Sequence, residues 1–154
     1  MADASNDSTA TTSLDSNGKP DVWLSDVDYF DASGFWETGA VTKDNWGNDH
    51  SHSINRTYRN WDHGNAYRVY NLKNEYSTLT GIFFQEYGDR SEGGQVILSF
   101  IDNEKEELLW KGIVGRAIDP VPFRVNVEGV NKLKLELTGD DAYRTSIGEA
   151  GLWK

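Results

Sequence analysis

From Asp21 onward, apolar and polar residues alternate with a period of two, the spacing of a strand that buries one face. Phe123, Val125 and Val127 alternate with Arg124, Asn126 and Glu128, and Leu133, Leu135 and Leu137 alternate with Lys134, Glu136 and Thr138. Glu128–Gly129–Val130–Asn131 supplies the turn between them, so the two segments are predicted to be consecutive strands. Val96, Leu98 and Phe100 repeat the pattern before Asp102–Asn103–Glu104, and Glu107–Leu108–Leu109–Trp110 follows as the return strand of a hairpin. Tyr76 to Tyr87 reads as a longer strand rich in Thr, Ile and Phe, with Gly81 suggesting a bulge inside it. Val22–Asp26, His52–Arg59, Tyr67–Leu72 and Ile147–Trp153 predict further strands. No segment carries the apolar stripe of a three-turn helix. Eight or more short strands joined by Gly, Asn and Asp turns predict an all-β fold, an antiparallel β-sandwich.

The first 20 residues break this pattern. They are Ser, Thr, Asp, Asn, Ala and Gly, with Leu14 the only large apolar residue after Met1, and Pro20 closes the stretch. Such a segment cannot offset its own ordering entropy, so 1–20 is expected to be a flexible linker and 21–154 the folded unit. It has the composition of a joint between modules of an extracellular protein, or of an ordinary disordered terminus.

Composition narrows the partners. At 154 residues the chain can bury one substantial core. Fifteen Lys and Arg face 25 Asp and Glu, a net charge of −10, which opposes both nucleic-acid binding and adsorption to an anionic membrane surface. No apolar run approaches a membrane span, so no membrane insertion is expected. With no cysteine, disulfides, thiolate metal sites and a cysteine nucleophile are excluded. The N-terminus lacks the basic and apolar segments of a signal peptide, so an exported protein would be represented here by its mature form or an excised domain. Of the 6 Trp, 7 Tyr and 6 Phe, most are expected in the core, since β-sheets favour aromatics, and a minority on the surface for binding.

Catalytic patterns are weak. There is no nucleophile elbow, phosphate loop or zinc-protease helix, and the pairs Glu106–Glu107 and Asp140–Asp141 sit in predicted turns, where solvated charges are ordinary. His50, His52 and His63 fall close together; His50 and His52 would share one side of a strand, and Asp49 or Asp62 would complete a zinc-like set. The spacing is not that of an established motif, and no enzyme is expected. The densest cluster of useful groups is Trp61–Asp62–His63–Gly64–Asn65–Ala66–Tyr67–Arg68. An aromatic plate beside a carboxylate, an imidazole, an amide and a guanidinium suits a sugar, whose apolar face stacks while its hydroxyls pair with planar polar groups. A turn with an inward Trp and locally satisfied polar groups is the plain alternative.

Val22–Trp23–Leu24–Ser25–Asp26–Val27–Asp28 resembles the opening strand of the bacterial NPCBM domains, a group related to carbohydrate-binding module family 51. Gly34–Phe35–Trp36, Thr42–Lys43–Asp44 and Ile54–Asn55–Arg56–Thr57–Tyr58 follow in the places of later family motifs. So do His63–Gly64–Asn65–Ala66, Val69–Tyr70–Asn71–Leu72 and Tyr76–Ser77–Thr78–Leu79–Thr80–Gly81. Two stretches depart from the pattern: Arg59–Asn60–Trp61–Asp62 ahead of the histidine, and Tyr143 to Ala150 near the end.

The resemblance implies a jelly roll of the galactose-binding-domain-like type. It also implies a non-catalytic carbohydrate-binding module, carried by a secreted or surface-attached bacterial protein of several modules and directed to a glycan or polysaccharide. Two other readings stay open at this point: a protein-interaction or structural sandwich that has lost its sugar site, and a hydrolase should the histidine cluster hold zinc. Within the resemblance His63 and Asn65 match family positions. Trp61 as stacking platform and Asp62 as hydroxyl partner rest on local chemistry, with Tyr67 and Arg144 expected at the same end. Jelly rolls of this type also imply one structural Ca²⁺, for which Asp28, Asp31 and the isolated Glu149 of the closing strand are the candidate ligands. The plain alternative for these three is a solvated strand glutamate beside ordinary turn aspartates.

Overall fold

The computed structural model describes residues 18–33, 36–58, 65–88, 95–115, 117–139 and 143–154. Residues 1–17, most of the expected linker, lie outside them. The described chain forms two antiparallel sheets packed face to face. One runs in the order β3 (Glu37–Lys43), β4 (Asp49–Tyr58), β11 (Tyr143–Trp153), β6 (Thr78–Gln85) and β9 (Val121–Asn126), with β1 (Val22–Trp23) also paired to β11. The other runs β2 (Tyr29–Ala32), β5 (Asn65–Asn71), β10 (Lys132–Gly139), β7 (Gln95–Asp102) and β8 (Glu107–Gly115). The architecture is the expected antiparallel β-sandwich.

The alternation read from the sequence is the packing of the core. Phe123 and Val125 of β9, Leu133, Leu135 and Leu137 of β10, and Val96, Leu98 and Phe100 of β7 are all buried between the sheets. Phe100 and Trp110 each lean on Phe123, at ring-centroid distances of 5.0 and 5.2 Å. Gly81 makes no bulge: β6 pairs with β9 in unbroken register from Thr78 to Phe83. It is glycine because the Phe123 ring passes over it, and an added Cβ would lie 2.6 Å from the ring. The irregularity falls instead in β11, between Gly148 and Gly151, where Glu149 has φ 46°.

Three further differences have simple causes. Of the predicted strand Val22–Asp26, only Val22–Trp23 pairs, and Leu24–Asp26 is a 3-10 turn that drives Leu24 into the core. Strands β2 and β3 show no alternation along the sequence, because both are sheet edges with almost wholly exposed side chains. Pro20, expected to close the linker, sits against Gly151, and Asp21 beside it donates its N–H to the Leu152 carbonyl.

Register fixes which strand ends gather. Tyr58 pairs with Tyr143 and Gln85 with Thr145 in one sheet; Thr138 pairs with Asn65, and Gln95 with Gly115, in the other. Only residues 140–142 join Gly139 of β10 to Tyr143 of β11, so these ends lie at the same end of the sandwich.

Candidate functional site

At that end the β3–β4 hairpin turns back over the six-stranded sheet. Its tip is a tight turn: Asp44 donates its N–H to the Asn48 carbonyl (2.8 Å), and Gly47, at φ 91°, donates to the Asp44 carbonyl (2.9 Å). The Asp44 side chain caps the turn from inside, Oδ1 accepting the N–H groups of Trp46 (2.9 Å) and Asn48 (3.0 Å). A buried carboxylate that accepts backbone donors fixes a short turn better than any apolar residue.

This turn presents Trp46, which is 56% exposed. The ring is nonetheless fixed, because its indole N–H donates to Asp119 Oδ1 at 2.8 Å. Beside it, Asn45 Nδ2 donates to the Ile118 carbonyl at 2.9 Å, so two adjacent turn residues are moored to the segment between β8 and β9. On the other flank Asp44 forms a backbone bridge with Glu86, and Tyr87, also well exposed, donates its N–H to the Lys43 carbonyl (2.8 Å). Two exposed aromatic residues therefore sit on neighbouring segments, among the polar groups of Asp119, Asn48 and the Lys43–Asp49 ion pair (3.1 Å).

Beneath the turn lies a small polar layer. Phe84 of β6 is fully buried yet outside the main core; the His50 ring covers it at 4.6 Å. His50 can lie there because its neighbour is Gly148, where a Cβ would come within 2.6 Å of the His50 Cβ. The His50 ring bonds Asp44 Oδ2 through Nε2 (2.8 Å) and Glu149 Oε1 through Nδ1 (2.9 Å). Thr42 Oγ1 reaches both Ser53 Oγ (2.8 Å) and Ser146 Oγ (2.9 Å), which closes the layer. Burial works against charge on His50, but the bonds to Asp44 and Glu149 outweigh it, so the imidazole titrates above its ordinary range. Burial likewise opposes the Asp44 carboxylate; His50 and the backbone N–H groups of Asn48 and Trp46 hold it below its usual range.

Trp61, Asp62 and His63 lie outside the described residues, and of Asn65 only the backbone is described, opposite Thr138 in β5. Arg144 is exposed at the start of β11, where its carbonyl accepts the Glu86 N–H (2.8 Å), close to Tyr87. Tyr67 points elsewhere. It belongs to the outer face of the five-stranded sheet, where its hydroxyl donates to Asp31 Oδ2 (3.2 Å) and Lys134 lies over its ring. Period-two alternation explains this: Ala66 and Tyr70 face the core, so Tyr67 faces out.

Two of the residues offered for calcium, Asp31 and Glu149, have protein partners on both carboxylate oxygens. Asp31 Oδ1 accepts the Ala32 N–H and Oδ2 the Tyr67 hydroxyl, while Glu149 gives one oxygen to His50 and the other to the Ser51 N–H (2.9 Å). Among the described residues no three His, Asp or Glu side chains are arranged to hold a metal ion; His63 and Asp62 of the zinc-like set lie outside them. His52, at φ 50°, leaves the regular strand and stacks on Trp23 at 4.0 Å.

Trp46, Tyr87 and Asp119 were not singled out from the sequence. The signal was there for Trp46: Asp44–Asn45–Trp46–Gly47–Asn48 is turn chemistry on both sides of a tryptophan, which leaves the ring little chance of a core position.

No protein-family model and no curated protein sequence matches the chain. Solved structures do. The CBM51 of Clostridium perfringens GH95, solved in complex with methyl-galactose, aligns with a TM-score of 0.61 at 18% identity, over 85% of this chain and 98% of that one. The C. perfringens ZmpB structure holding the M60 catalytic domain with CBM51-1 and CBM51-2 aligns at TM-score 0.63 and 15% identity, over 84% of this chain and 15% of that one. The ZmpB CBM51-2 and INT domains, solved with GlcNAc, align at TM-score 0.57 and 15% identity, over 84% of this chain and 31% of that one. The chain thus shares the fold of CBM51 modules and spans only a small part of the ZmpB structures.

Proposed function

We propose that the chain is a non-catalytic carbohydrate-binding module whose sugar site lies at the Trp46 end of the sandwich. The observation that carries this reading is Trp46 itself, more than half exposed and yet held by its indole N–H and by the capped turn. An aromatic plate fixed before the ligand arrives loses little entropy on binding, which matters for a shallow, wet site. Asp119, Asn48 and Arg144 supply planar polar groups for hydroxyls around the ring. Trp61, Asp62, His63 and Asn65 are proposed as further contacts on their chemistry and on the family resemblance. The solved neighbours carry methyl-galactose and GlcNAc, which supports a hexopyranose, with galactose-containing glycans first. Such a module would hold a secreted or surface-attached bacterial protein of several domains at its glycan, raising effective concentration without chemistry.

A glycan array followed by titration with methyl-galactoside and with GlcNAc, monitored by tryptophan fluorescence, tests the reading. Binding that Trp46→Ala abolishes supports it. Binding that survives Trp46→Ala moves the site elsewhere, and silence on every glycan favours the interaction-module reading.

A further inference from the structure

His50 lies between two carboxylates, with a ring nitrogen on each: Asp44 Oδ2 at 2.8 Å and Glu149 Oε1 at 2.9 Å. A neutral imidazole has one N–H and one lone pair, so one of these contacts would set a lone pair against a carboxylate. The imidazolium donates at both. The remaining oxygens are also taken, Asp44 Oδ1 by the N–H groups of Trp46 and Asn48, and Glu149 Oε2 by that of Ser51. Asp44 is only 2% exposed, and a carboxylate so deeply buried requires a charged partner.

Backbone geometry points the same way. Glu149 adopts φ 46°, costly for a residue with a side chain, and β11 gives up its regular register from Gly148 to Gly151. That bulge delivers the carboxylate to His50, and Gly148 leaves room for the histidine. The charged groups facing His50 are Asp44 from the turn and Glu149 from β11. Beyond these stand Glu86, bridged to Asp44 from the end of β6, Arg144 behind it on β11, and the Lys43–Asp49 pair at the base of the turn; His52 follows two residues along β4. From β6 itself His50 meets the uncharged Phe84.

We propose that the cation tying the Trp46 hairpin to the closing strand is the His50 imidazolium, not a calcium ion, and that His50 is thereby the positioning residue of the sugar site. It acts through Asp44, which bonds His50 with one oxygen and the Trp46 and Asn48 N–H groups with the other. The claim about Trp46 rests on the sugar-binding reading; the claim about the clamp does not.

The test uses melting temperature and glycan affinity of the full chain at about pH 5.5 and about pH 9, on either side of a raised histidine. Wild type, His50→Gln and Glu149→Gln are compared, each with EDTA and with added CaCl₂. The expected result is that neither reagent moves the wild-type melting temperature. Both variants should melt lower than wild type in acid and much closer to it in base. Methyl-galactoside affinity of His50→Gln at the lower pH should fall on the order of tenfold. Loss of melting temperature on chelation that calcium restores would overturn the proposal, as would a variant deficit equal at both pH values. If no sugar binds, the melting arms still decide the clamp and only the sugar reading fails. Should a variant fail to fold, the ¹⁵N shifts of His50 in the wild type decide: a neutral ring at about pH 6 overturns the clamp.

Discussion

Trp46 donates its indole N–H to Asp119 Oδ1 at 2.8 Å, a bond between residues 73 positions apart that fixes a ring still 56% open to solvent. The bond sets the ring's orientation against the segment between β8 and β9, while Asn45 holds the next turn residue to the Ile118 carbonyl.

Asp119→Ala should therefore weaken sugar binding without weakening the fold. Loss of one exposed hydrogen bond of about 1 kcal/mol corresponds to roughly fivefold in affinity if it serves only to orient the ring. Isothermal titration reads the first effect and a melting curve the second. A variant that binds as well as wild type would show that the anchor is incidental to recognition.

Gly81→Ala should destabilise without touching the site. Its Cβ would meet Phe123 Cζ at 2.6 Å, Ala150 Cα at 3.2 Å and the Gly148 carbonyl oxygen at 3.2 Å, and two of those three are backbone atoms that cannot rotate away. Overpacking of this kind costs about 1–3 kcal/mol. Urea denaturation should show a lower midpoint at unchanged slope, and an unchanged midpoint would mean that Phe123 moves aside freely.

How far the sequence could be read follows from where each side chain points. Phe123–Val125, Leu133–Leu135–Leu137 and Val96–Leu98–Phe100 announce themselves because their alternation is the difference between core and water. Strands β2 and β3 carry no such difference, since edge positions such as Phe30 and Val41 stay exposed, and nothing in Tyr29–Ala32 or Glu37–Lys43 distinguishes strand from loop. Gly81 was legible as special but not as what it is, because a bulge and a close approach ask for the same residue. Glu149 was legible as a carboxylate needing a reason. The reason, His50, lies 99 positions away and is reached only through a bulge, so spacing does not reveal it, and the calcium expectation rests on the family resemblance.

Phe84→Ala should cost nearly as much as a central core truncation, although Phe84 lies outside the main cluster. It is fully buried beneath His50, and removing it leaves a void under the polar layer worth about 3–5 kcal/mol. Phe30→Ala is the control. Phe30 is 63% exposed with Lys132 over its ring, so its loss should stay within about 0.5 kcal/mol. Equal effects in the two variants would contradict this packing.

Burial disfavours charge on Asp44, but His50, Asn48 and Trp46 hold its carboxyl below the ordinary 3.8. A group whose pKa is depressed by folding stabilises the fold above its unfolded value, and that contribution is lost as pH falls through the folded one. His50 has the opposite sign. Raised above its ordinary 6.5, it contributes fully below that value and loses its contribution as pH climbs through the folded one. The clamp is therefore complete between 3.8 and 6.5 and weakens on both sides. Other carboxylates add their own acid dependence, so the informative quantity is the difference in melting temperature between wild type and Asp44→Asn. The asparagine keeps an oxygen for the Trp46 and Asn48 N–H groups but cannot pair with an imidazolium. The difference should be largest inside that window, shrink toward stronger acid as Asp44 protonates, and shrink again in base as His50 loses its proton. A difference that stays constant across the range would show that shape, not charge, holds the hairpin down.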